Sequence, residues 1–459
     1  MKLWEYGTME LDMTKGRPLP VLLRFTLPLL LGNVFQQFYN MADTVIVGRF
    51  VGAGALAAVG STGTIMFLIT GFAQGITSGF SILTSQKFGA GDSEGVRRSV
   101  ANGVILACLS TLLLTAVCMS VMRPLLGWMN TPEDIFQDAY TYIMIISAGI
   151  AAMVFYNLFS AYLRAVGNSQ APLFFLVFSA CLNIALDLVF IVWFQMGVAG
   201  AALATVVAQA VSAILCGGYM FLKVKILAPK AGQWRLNSAD SKHQLSMGLP
   251  MAFQFAITAS GGMVMQSAIN MFGSNAVAAY TAAGKLEALV EQGMVAMGQA
   301  VATYGGQNYG KGDLGRIKAG VNAALGAIMV YGAIAALVVS VGLEPAISIF
   351  FAEGVDMAAM MPWARTYMNI CASFFLPLST IFVFRNVMQG CGYGFLPMMG
   401  GFAELVARLT VAVIAMQVGS YALAVFCHPA AWTAAAVFTG VSYLWVMKDI
   451  ARRQKRENA

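Results

Sequence analysis

Apolar runs of twenty or more residues recur along the whole chain and limit its fold more than any other feature. Each run is long enough to cross a hydrocarbon core of about 30 Å as an α-helix. The 459 residues are 59% hydrophobic and only 10% charged, whereas soluble domains carry about 25% charged residues. A transmembrane β-barrel would need short alternating segments instead. The sequence therefore predicts an all-α polytopic membrane protein.

Twelve membrane-spanning helices are predicted, six in each half of the chain. The predicted spans are 24–45, 53–85, 97–122, 135–160, 170–194, 197–222, 244–271, 276–307, 316–343, 360–387, 395–419 and 421–447. They define an N-lobe over residues 1–222, a polar cytoplasmic connector over 223–243 and a C-lobe over 244–459. We expect two pseudo-symmetric six-helix bundles that form a V around a central cavity.

The two halves repeat each other at a constant shift in numbering. Matching segments are GAGALAA at 52–58 with GSNAVAA at 273–279, and QKFGAGD at 86–92 with QNYGKGD at 307–313. The same shift places Arg164 on Arg385. Because each repeat has an even number of helices, both halves should have the same orientation in the membrane. Parallel repeats of this kind are typical of transporters, with the substrate path between the lobes.

The net charge of +7 reflects membrane topology rather than an affinity for nucleic acid. With the N-terminus inside, the predicted cytoplasmic segments hold 22 of the 27 Lys and Arg residues. This bias follows the positive-inside rule and predicts a multi-pass protein of the cell membrane with both termini in the cytoplasm. The polar, mixed-charge residues 1–17 do not resemble a cleavable signal peptide.

Motifs for catalysis, nucleotide binding or cofactor binding are absent from the sequence. The seven cysteines are scattered and there are only two histidines, which argues against disulfides, zinc and haem. The chain has no G-x-x-x-x-G-K-[ST] loop and no hydrolase constellation. We therefore expect that the protein is not an enzyme and that it binds no cofactor. If the protein moves a substrate uphill, an ion gradient must drive the transport.

One predicted span, CLNIALDLVFIVW at 181–193, contains a carboxylate and an amide. Asp187 follows Asn183 by four residues, so the two side chains share one helix face. A charge inside the bilayer costs several kcal/mol unless it faces a polar cavity with partners. Asp187 is therefore either a functional residue or a structural hydrogen-bonding one.

Several segments resemble the multidrug and toxic compound extrusion (MATE) family, which belongs to the multidrug/oligosaccharidyl-lipid/polysaccharide exporter superfamily. LPLLLGNVFQQFYNMADTVIVGRFVGAGALAAVG resembles helix 1 and the start of helix 2 of that family. QKFGAGD and QNYGKGD resemble its paired loops, YLRAVGNSQAP its stretch after helix 4, and LNIALD its helix 5 motif. The similarity extends from about residue 10 to 447, with the motifs in the expected order.

The resemblance implies an N-lobe ion site made of Asp43, Asn183, Asp187, Ala201 and Thr205. Two carboxylates, an amide oxygen, a hydroxyl and a backbone carbonyl would form an all-oxygen nest. Hard cations are held by oxygen, whereas two close carboxylates can share a proton instead. The coupling ion is therefore H⁺ or Na⁺. A structural role stays open for both aspartates and, more strongly, for Thr205, because threonine often bonds its own helix backbone.

The resemblance also implies N-lobe cavity residues and a hinge. The cavity residues are Gln36, Asn40, Tyr142 and Asn157, and the alternative for them is ordinary helix–helix hydrogen bonding. Pro28 resembles the proline at which helix 1 bends in some family members. The alternative there is a static kink.

The C-lobe departs from one branch of the family. Some members have a Glu in helix 7, where this chain has Gln254, and an Asp in helix 10, where only Ser379 and Thr380 are nearby. We therefore do not expect their C-lobe cation site. Gln254 and Glu404 are the candidate cavity or substrate-binding residues of the C-lobe. Glu404 and Arg408 form an i,i+4 pair that is more often structural than a substrate counter-ion. An ion site in the N-lobe alone resembles the DinF-like branch of the family.

The leading prediction is a secondary antiporter that exports amphipathic, often cationic small molecules in exchange for H⁺ or Na⁺. Its partners are then these substrates and the lipid bilayer, and we expect a monomer. The alternative is a flippase for lipid-linked oligosaccharides, which belongs to the same superfamily. A flippase should line its cavity with several Arg or Lys residues, and here only Arg408 and Lys285 are available.

Overall fold

A computed structural model describes residues 11–348 and 357–457. Within these ranges the chain is almost entirely α-helical, with no β-strand. The helices are α1 Pro18–Phe50, α2 Ala53–Ser61, α3 Gly63–Gly89, α4 Ser93–Trp128, α5 Glu133–Ala148, α6 Ile150–Ala165, α7 Gln170–Asp187, α8 Gly197–Lys223, α9 Ser238–Asn270, α10 Ser274–Gly310, α11 Leu314–Ser348, α12 Met357–Ala372, α13 Phe375–Gly390, α14 Phe395–Val418 and α15 Tyr421–Glu457. A π-helical turn, Leu188–Trp193, continues α7.

These helices account for the twelve predicted spans. Eight described helices are long and apolar enough to cross a membrane, and two bent pairs, α5 with α6 and α12 with α13, raise the number to ten. The pairs bend by 47° and 48°. Helices α9 and α10 cover the two remaining predicted spans and are more polar. The predicted all-α fold of a multi-pass membrane protein is confirmed, whereas the V around a central cavity stays a prediction.

The described residues group into two compact units. Of the described residues, the first unit contains 11–12 and Leu27–Ala252, and the second contains Met13–Thr26, 253–348 and 357–457. Helices α1 and α9, which begin the two halves, are therefore each divided between the units. The predicted lobes, 1–222 and 244–459 with a connector at 223–243, stay a prediction about topology.

Glycines with positive φ mark equivalent turns in the two halves. Gly52 with Gly273, and Gly91 with Gly312, are related by the shift found in the sequence. The next pair, Gly167 (φ 89°) and Gly392 (φ 90°), needs a shift that is larger by four positions. The starts of α6 and α13 need the same larger shift. The predicted match of Arg164 with Arg385 is therefore wrong by one helical turn, because the second half is four residues longer before this point.

Close helix packing in the first unit depends on small residues. A Cβ atom added to Gly79 in α3 would lie 2.3 Å from the Cα atom of Gly248 in α9, and one on Gly75 would lie 2.6 Å from the Cα atom of Ala252. Only glycine permits two helix backbones to approach this closely. Gln244 in the same part of α9 accepts a hydrogen bond from Asn102 at 2.7 Å and donates one to the carbonyl of Ser99 at 2.9 Å.

In the second unit, the segment before α1 is held by the end of α10 and the start of α11. Arg316 donates four hydrogen bonds to backbone carbonyls of this segment, two to Met13 and one each to Lys15 and Gly16, at 2.6–3.2 Å. The backbone N–H of Met13 donates to Gln307 at 2.9 Å. These contacts fix the start of α1 within this unit.

Candidate ion-binding site

Three helices of the first unit position the predicted ion ligands. Asp43 lies in α1, Asn183 and Asp187 lie in α7, and Thr205 lies in α8. The carboxyl groups of Asp43 and Asp187 lie close enough to act on each other's charge. The amide Nδ2 of Asn183 donates to Thr205 Oγ1 at 3.4 Å. The structure thus brings together four side chains from distant parts of the sequence.

Asp187 and Asn183 are almost completely buried, with 0% and 1% of their surface exposed. Buried oxygens of this group have no hydrogen-bond partner within the described ranges; they are Oδ1 of Asp43, Oδ1 of Asn183 and both carboxylate oxygens of Asp187. All four atoms are acceptors. A buried acceptor without a donor costs about 1–3 kcal/mol, and more when it is charged. These oxygens are therefore available to accept a hydrogen bond or to coordinate a cation.

Two tyrosines lie beside the group of predicted ion ligands. The Tyr39 hydroxyl is within hydrogen-bonding reach of Thr205, and Tyr39 and Tyr142 both lie near the two aspartates. Tyr142 was predicted as a cavity residue, whereas Tyr39 was missed. Its signal was available in the sequence, because Tyr39 precedes Asp43 by four residues and so shares its helix face.

The other predicted residues of the first unit have contacts of their own. Gln36 donates to Asn40 Oδ1 at 3.3 Å on a partly exposed part of α1. Asn157 donates to the carbonyl of Met153 in its own helix at 2.9 Å. No hydrogen bond in the described part of the chain joins Gln36, Asn40 or Asn157 to the carboxylates. Their role in substrate binding stays a prediction.

The backbone of these helices supplies one predicted ligand, at Ala201, and has two irregular features, at Pro28 and after Asp187. Ala201 is fully buried in α8 and lies four residues before Thr205. Because its side chain is a methyl group, only its backbone carbonyl can serve as a ligand. Helix α1 continues through Pro28, which cannot donate a backbone hydrogen bond; its role as a hinge stays a prediction. Asp187 is the last residue of α7 before the π-helical turn. Such turns are rare and frequently occur at functional sites.

The second unit contains a different polar cluster. Glu404 Oε1 and Arg408 Nη2 form an ion pair at 2.8 Å, with side-chain exposures of only 14% and 5%. Glu287 accepts a hydrogen bond from the Tyr367 hydroxyl. Glu291 lies in the same electrostatic neighbourhood as Glu404 and Arg408. The predicted i,i+4 pair is thus formed, and it is largely buried.

Gln254 belongs to this cluster through two neighbours. Its amide contacts the Gln389 amide at 3.2 Å. When the Gln254 amide is oriented with its oxygen toward Arg385, that oxygen accepts from Nη1 at 2.8 Å and from Nε at 3.2 Å. This orientation satisfies both groups better, and amide orientation is assigned from such networks. Gln254 therefore solvates an arginine at the position where some relatives were expected to carry a Glu.

Two repeated sets of membrane-spanning helices are typical of membrane transporters. The MatE family model matches residues 28–189 and 250–425, which is more than half of the chain and falls once in each half. The chain belongs to this family, as its sequence motifs predicted.

Individual relatives agree with the family assignment. The probable multidrug resistance protein YpnP of Bacillus subtilis is 31% identical over 309 residues, which cover 67% of this chain and 68% of that protein. DNA damage-inducible protein F of Escherichia coli is 26% identical over 305 residues, which cover 64% of each chain. The finer placement in the DinF-like branch stays a prediction.

The fold is also that of a solved transporter. A structure of a transporter of the MOP superfamily from Pyrococcus furiosus superposes with a TM-score of 0.90 at 21% sequence identity. It covers 97% of this chain, and this chain covers all of it. The predicted fold class is confirmed by this match.

Proposed function

We propose that the protein is a secondary multidrug efflux antiporter that exports amphipathic, often cationic small molecules in exchange for H⁺ or Na⁺. The coupling ion binds in the nest of Asp43, Asn183, Asp187, Thr205 and the carbonyl of Ala201. The single observation that carries this proposal is the set of four buried acceptor oxygens without a donor. We further propose that it acts as a monomer in the cell membrane, with both termini in the cytoplasm and no cofactor.

Ion dependence follows from the charges in the nest. Two adjacent carboxylates inside a bilayer repel each other, and each loses its hydration. One H⁺ or one Na⁺ between Asp43 and Asp187 removes half of the net charge. Na⁺ would coordinate several of the unpaired oxygens, whereas H⁺ would be shared between two of them. The loaded and empty nests therefore favour different packing of α1 against α7 and α8. Ion binding then shifts the first unit between two shapes of different affinity for cargo.

The cargo class is supported by the relatives and by the charges of the second unit. YpnP is named as a probable multidrug resistance protein. A lipid-linked oligosaccharide would need free cationic groups for its diphosphate. Arg408 is paired with Glu404 at 2.8 Å, and Arg385 faces Gln254, with Glu291 and Glu404 nearby. These arginines are neutralised, which disfavours the flippase alternative.

Transport by purified protein in sealed lipid vesicles tests the proposal. A pH or Na⁺ gradient is imposed, and movement of a fluorescent cationic dye such as ethidium is followed. The unmutated protein should move dye against its gradient only while one ion gradient lasts. Asp187→Asn should abolish this coupled movement, whereas Asp134→Asn, a matched change of an exposed acid at the start of α5, should not. Equal coupling in Asp187→Asn and unmutated vesicles would make Asp187 a structural residue.

A further inference from the structure

Helix α14 is the counterpart of α7 in the second unit. The two helices begin at Phe395 and Gln170, each just after one of the paired glycines with positive φ. Arg408 and Asn183 lie equally far from these two helix starts, so they occupy equivalent positions. A guanidinium group therefore occurs where the first unit has an amide ligand of its ion nest.

Arg408 is buried among acidic side chains. Only 4% of the residue is exposed, and its Nη2 is 2.8 Å from Glu404 Oε1. Glu287 and Glu291 from α10 lie close enough to act on its charge. The Nε atom has no hydrogen-bond partner within the described ranges. The positive charge therefore faces carboxylates from two helices, α10 and α14.

Helix α9 leaves room for this guanidinium. A Cβ atom at Gly261 would lie 2.4 Å from Arg408 Nη1, so the guanidinium lies directly against the helix backbone. In the register of the nearby glycine turns, Gly52 with Gly273, Gly261 corresponds to Asn40 and Val264 to Asp43. The second unit therefore lacks the helix 1 carboxylate, and Arg408 fills the space beside a glycine.

We infer that Arg408 is a tethered cation that permanently occupies the second unit's counterpart of the ion nest. In the first unit a positive charge must arrive from solution, and it can leave again. In the second unit the chain itself supplies the positive charge. Because Arg408 is tethered beside the carboxylates, its effective concentration there is so high that free cations do not displace it. Only one of the two repeated sites then exchanges ions. The inference uses the proposed function only in treating the first nest as exchangeable.

Chemical rescue with guanidinium chloride tests this assignment. Arg408→Ala removes the tethered cation and should leave a vacant site bordered by Glu404, Glu287 and Glu291. Millimolar guanidinium should then raise the melting temperature of the purified variant in a saturable manner. The rise should be about 3–6 °C at a tenfold excess over the dissociation constant. Choline chloride at equal ionic strength should have no such effect.

Arg365→Ala is the matched control in the same unit. Arg365 pairs with Glu344 at 2.9 Å, but both side chains are more than half exposed. Guanidinium should therefore not stabilise Arg365→Ala, nor the unmutated protein. A saturable rise in either of them, or none in Arg408→Ala, would overturn the assignment. The readout does not involve transport, so the same rise is expected in an Asp187→Asn background, whether or not that nest couples transport.

A second pair of variants decides the matter if Arg408→Ala does not fold. Arg408→Lys keeps a tethered cation, whereas Arg408→Gln keeps polarity and removes the charge. We expect Arg408→Lys to be folded and insensitive to guanidinium, with far more folded protein than Arg408→Gln. Equal folding of both variants would show that the charge is unnecessary, and the tethered-cation role would be wrong.

Discussion

The Glu404–Arg408 pair gives a stability prediction whose magnitude follows from its burial. Glu404→Gln keeps the size and polarity of the side chain and removes its negative charge. Two unit charges about 4 Å apart interact by about 4 kcal/mol at an effective dielectric constant of 20. Removing one partner of a buried ion pair typically costs about 3–5 kcal/mol. The nearby Glu291 offsets part of this loss, so we expect a cost of about 3 kcal/mol, at the lower end of that range.

Glu344→Gln is the matched control for this experiment. The Glu344–Arg365 pair has nearly the same geometry, 2.9 Å against 2.8 Å, but exposures of 66% and 60%. Exposed pairs contribute about 0–1 kcal/mol. The two variants thus differ mainly in the burial of the pair that each one breaks.

Thermal unfolding of the purified variants measures the difference. At about 2–4 °C per kcal/mol for a unit of this size, Glu404→Gln should lower the melting temperature by about 6–12 °C. Glu344→Gln should lower it by less than about 4 °C. Transport per folded molecule should stay within about twofold of the unmutated protein, because the pair is structural. Equal melting temperatures for both variants would refute this reasoning, and selective loss of cationic cargo by folded Glu404→Gln would make Glu404 a substrate ligand.

Three further predictions follow from contacts elsewhere in the chain. Asp92 caps α4 by accepting from the Gly95 N–H at 2.8 Å, and this bond, with help from Lys87, holds the pKa of Asp92 below its usual 3.8. Asp92→Ala should therefore lower the free energy of unfolding by about 1 kcal/mol at pH 7. Unfolding measured against pH should show this difference between variant and unmutated protein vanish as the pH falls below about 4, through the lowered folded-state pKa. A difference that stays constant with pH would exclude the carboxylate as the cap. Gly79→Ala should lower the free energy of unfolding by at least about 2 kcal/mol, because its Cβ atom would lie 2.3 Å from the Cα atom of Gly248. Gly54→Ala should be tolerated, because the space around Gly54 is open. Equal stability of the two variants in thermal unfolding would contradict the close helix contact. Arg316→Ala should speed tryptic cleavage after Lys15, because it removes four hydrogen bonds to that segment. Unchanged cleavage relative to Lys318→Ala would show that other contacts hold the segment.

The helical architecture and the core of the ion nest were accessible from the sequence for physical reasons. A membrane span needs about 20 apolar residues, so its limits are visible in composition. A carboxylate inside such a span is costly, which drew attention to Asp187 without any structure. The partner Asp43 came from the family resemblance, since no local pattern links two residues so far apart in the chain.

Other features had no signal of this kind. The π-helical turn after Asp187 adds no distinctive residues, so its sequence looks like ordinary helix. The two halves differ by four residues before Gly392, so the constant shift seen in the earlier segments places Arg164 on Arg385 instead of one turn later. Contacts to backbone carbonyls, such as those of Arg316, depend on where the chain passes and not on residue type. Tyr39 could have been found by examining the helix face of Asp43.

The most direct test of the central claim is a binding titration on purified protein, at several pH values with and without Na⁺. If Asp43 and Asp187 form one exchangeable nest, adding the ion must weaken substrate affinity by the same factor by which substrate weakens ion binding. We predict that unmutated protein shows this reciprocal effect. We also predict that Asp43→Asn and Asp187→Asn bind substrate with an affinity that no longer changes with pH or Na⁺. Substrate affinity that is independent of both ions in the unmutated protein would contradict the account.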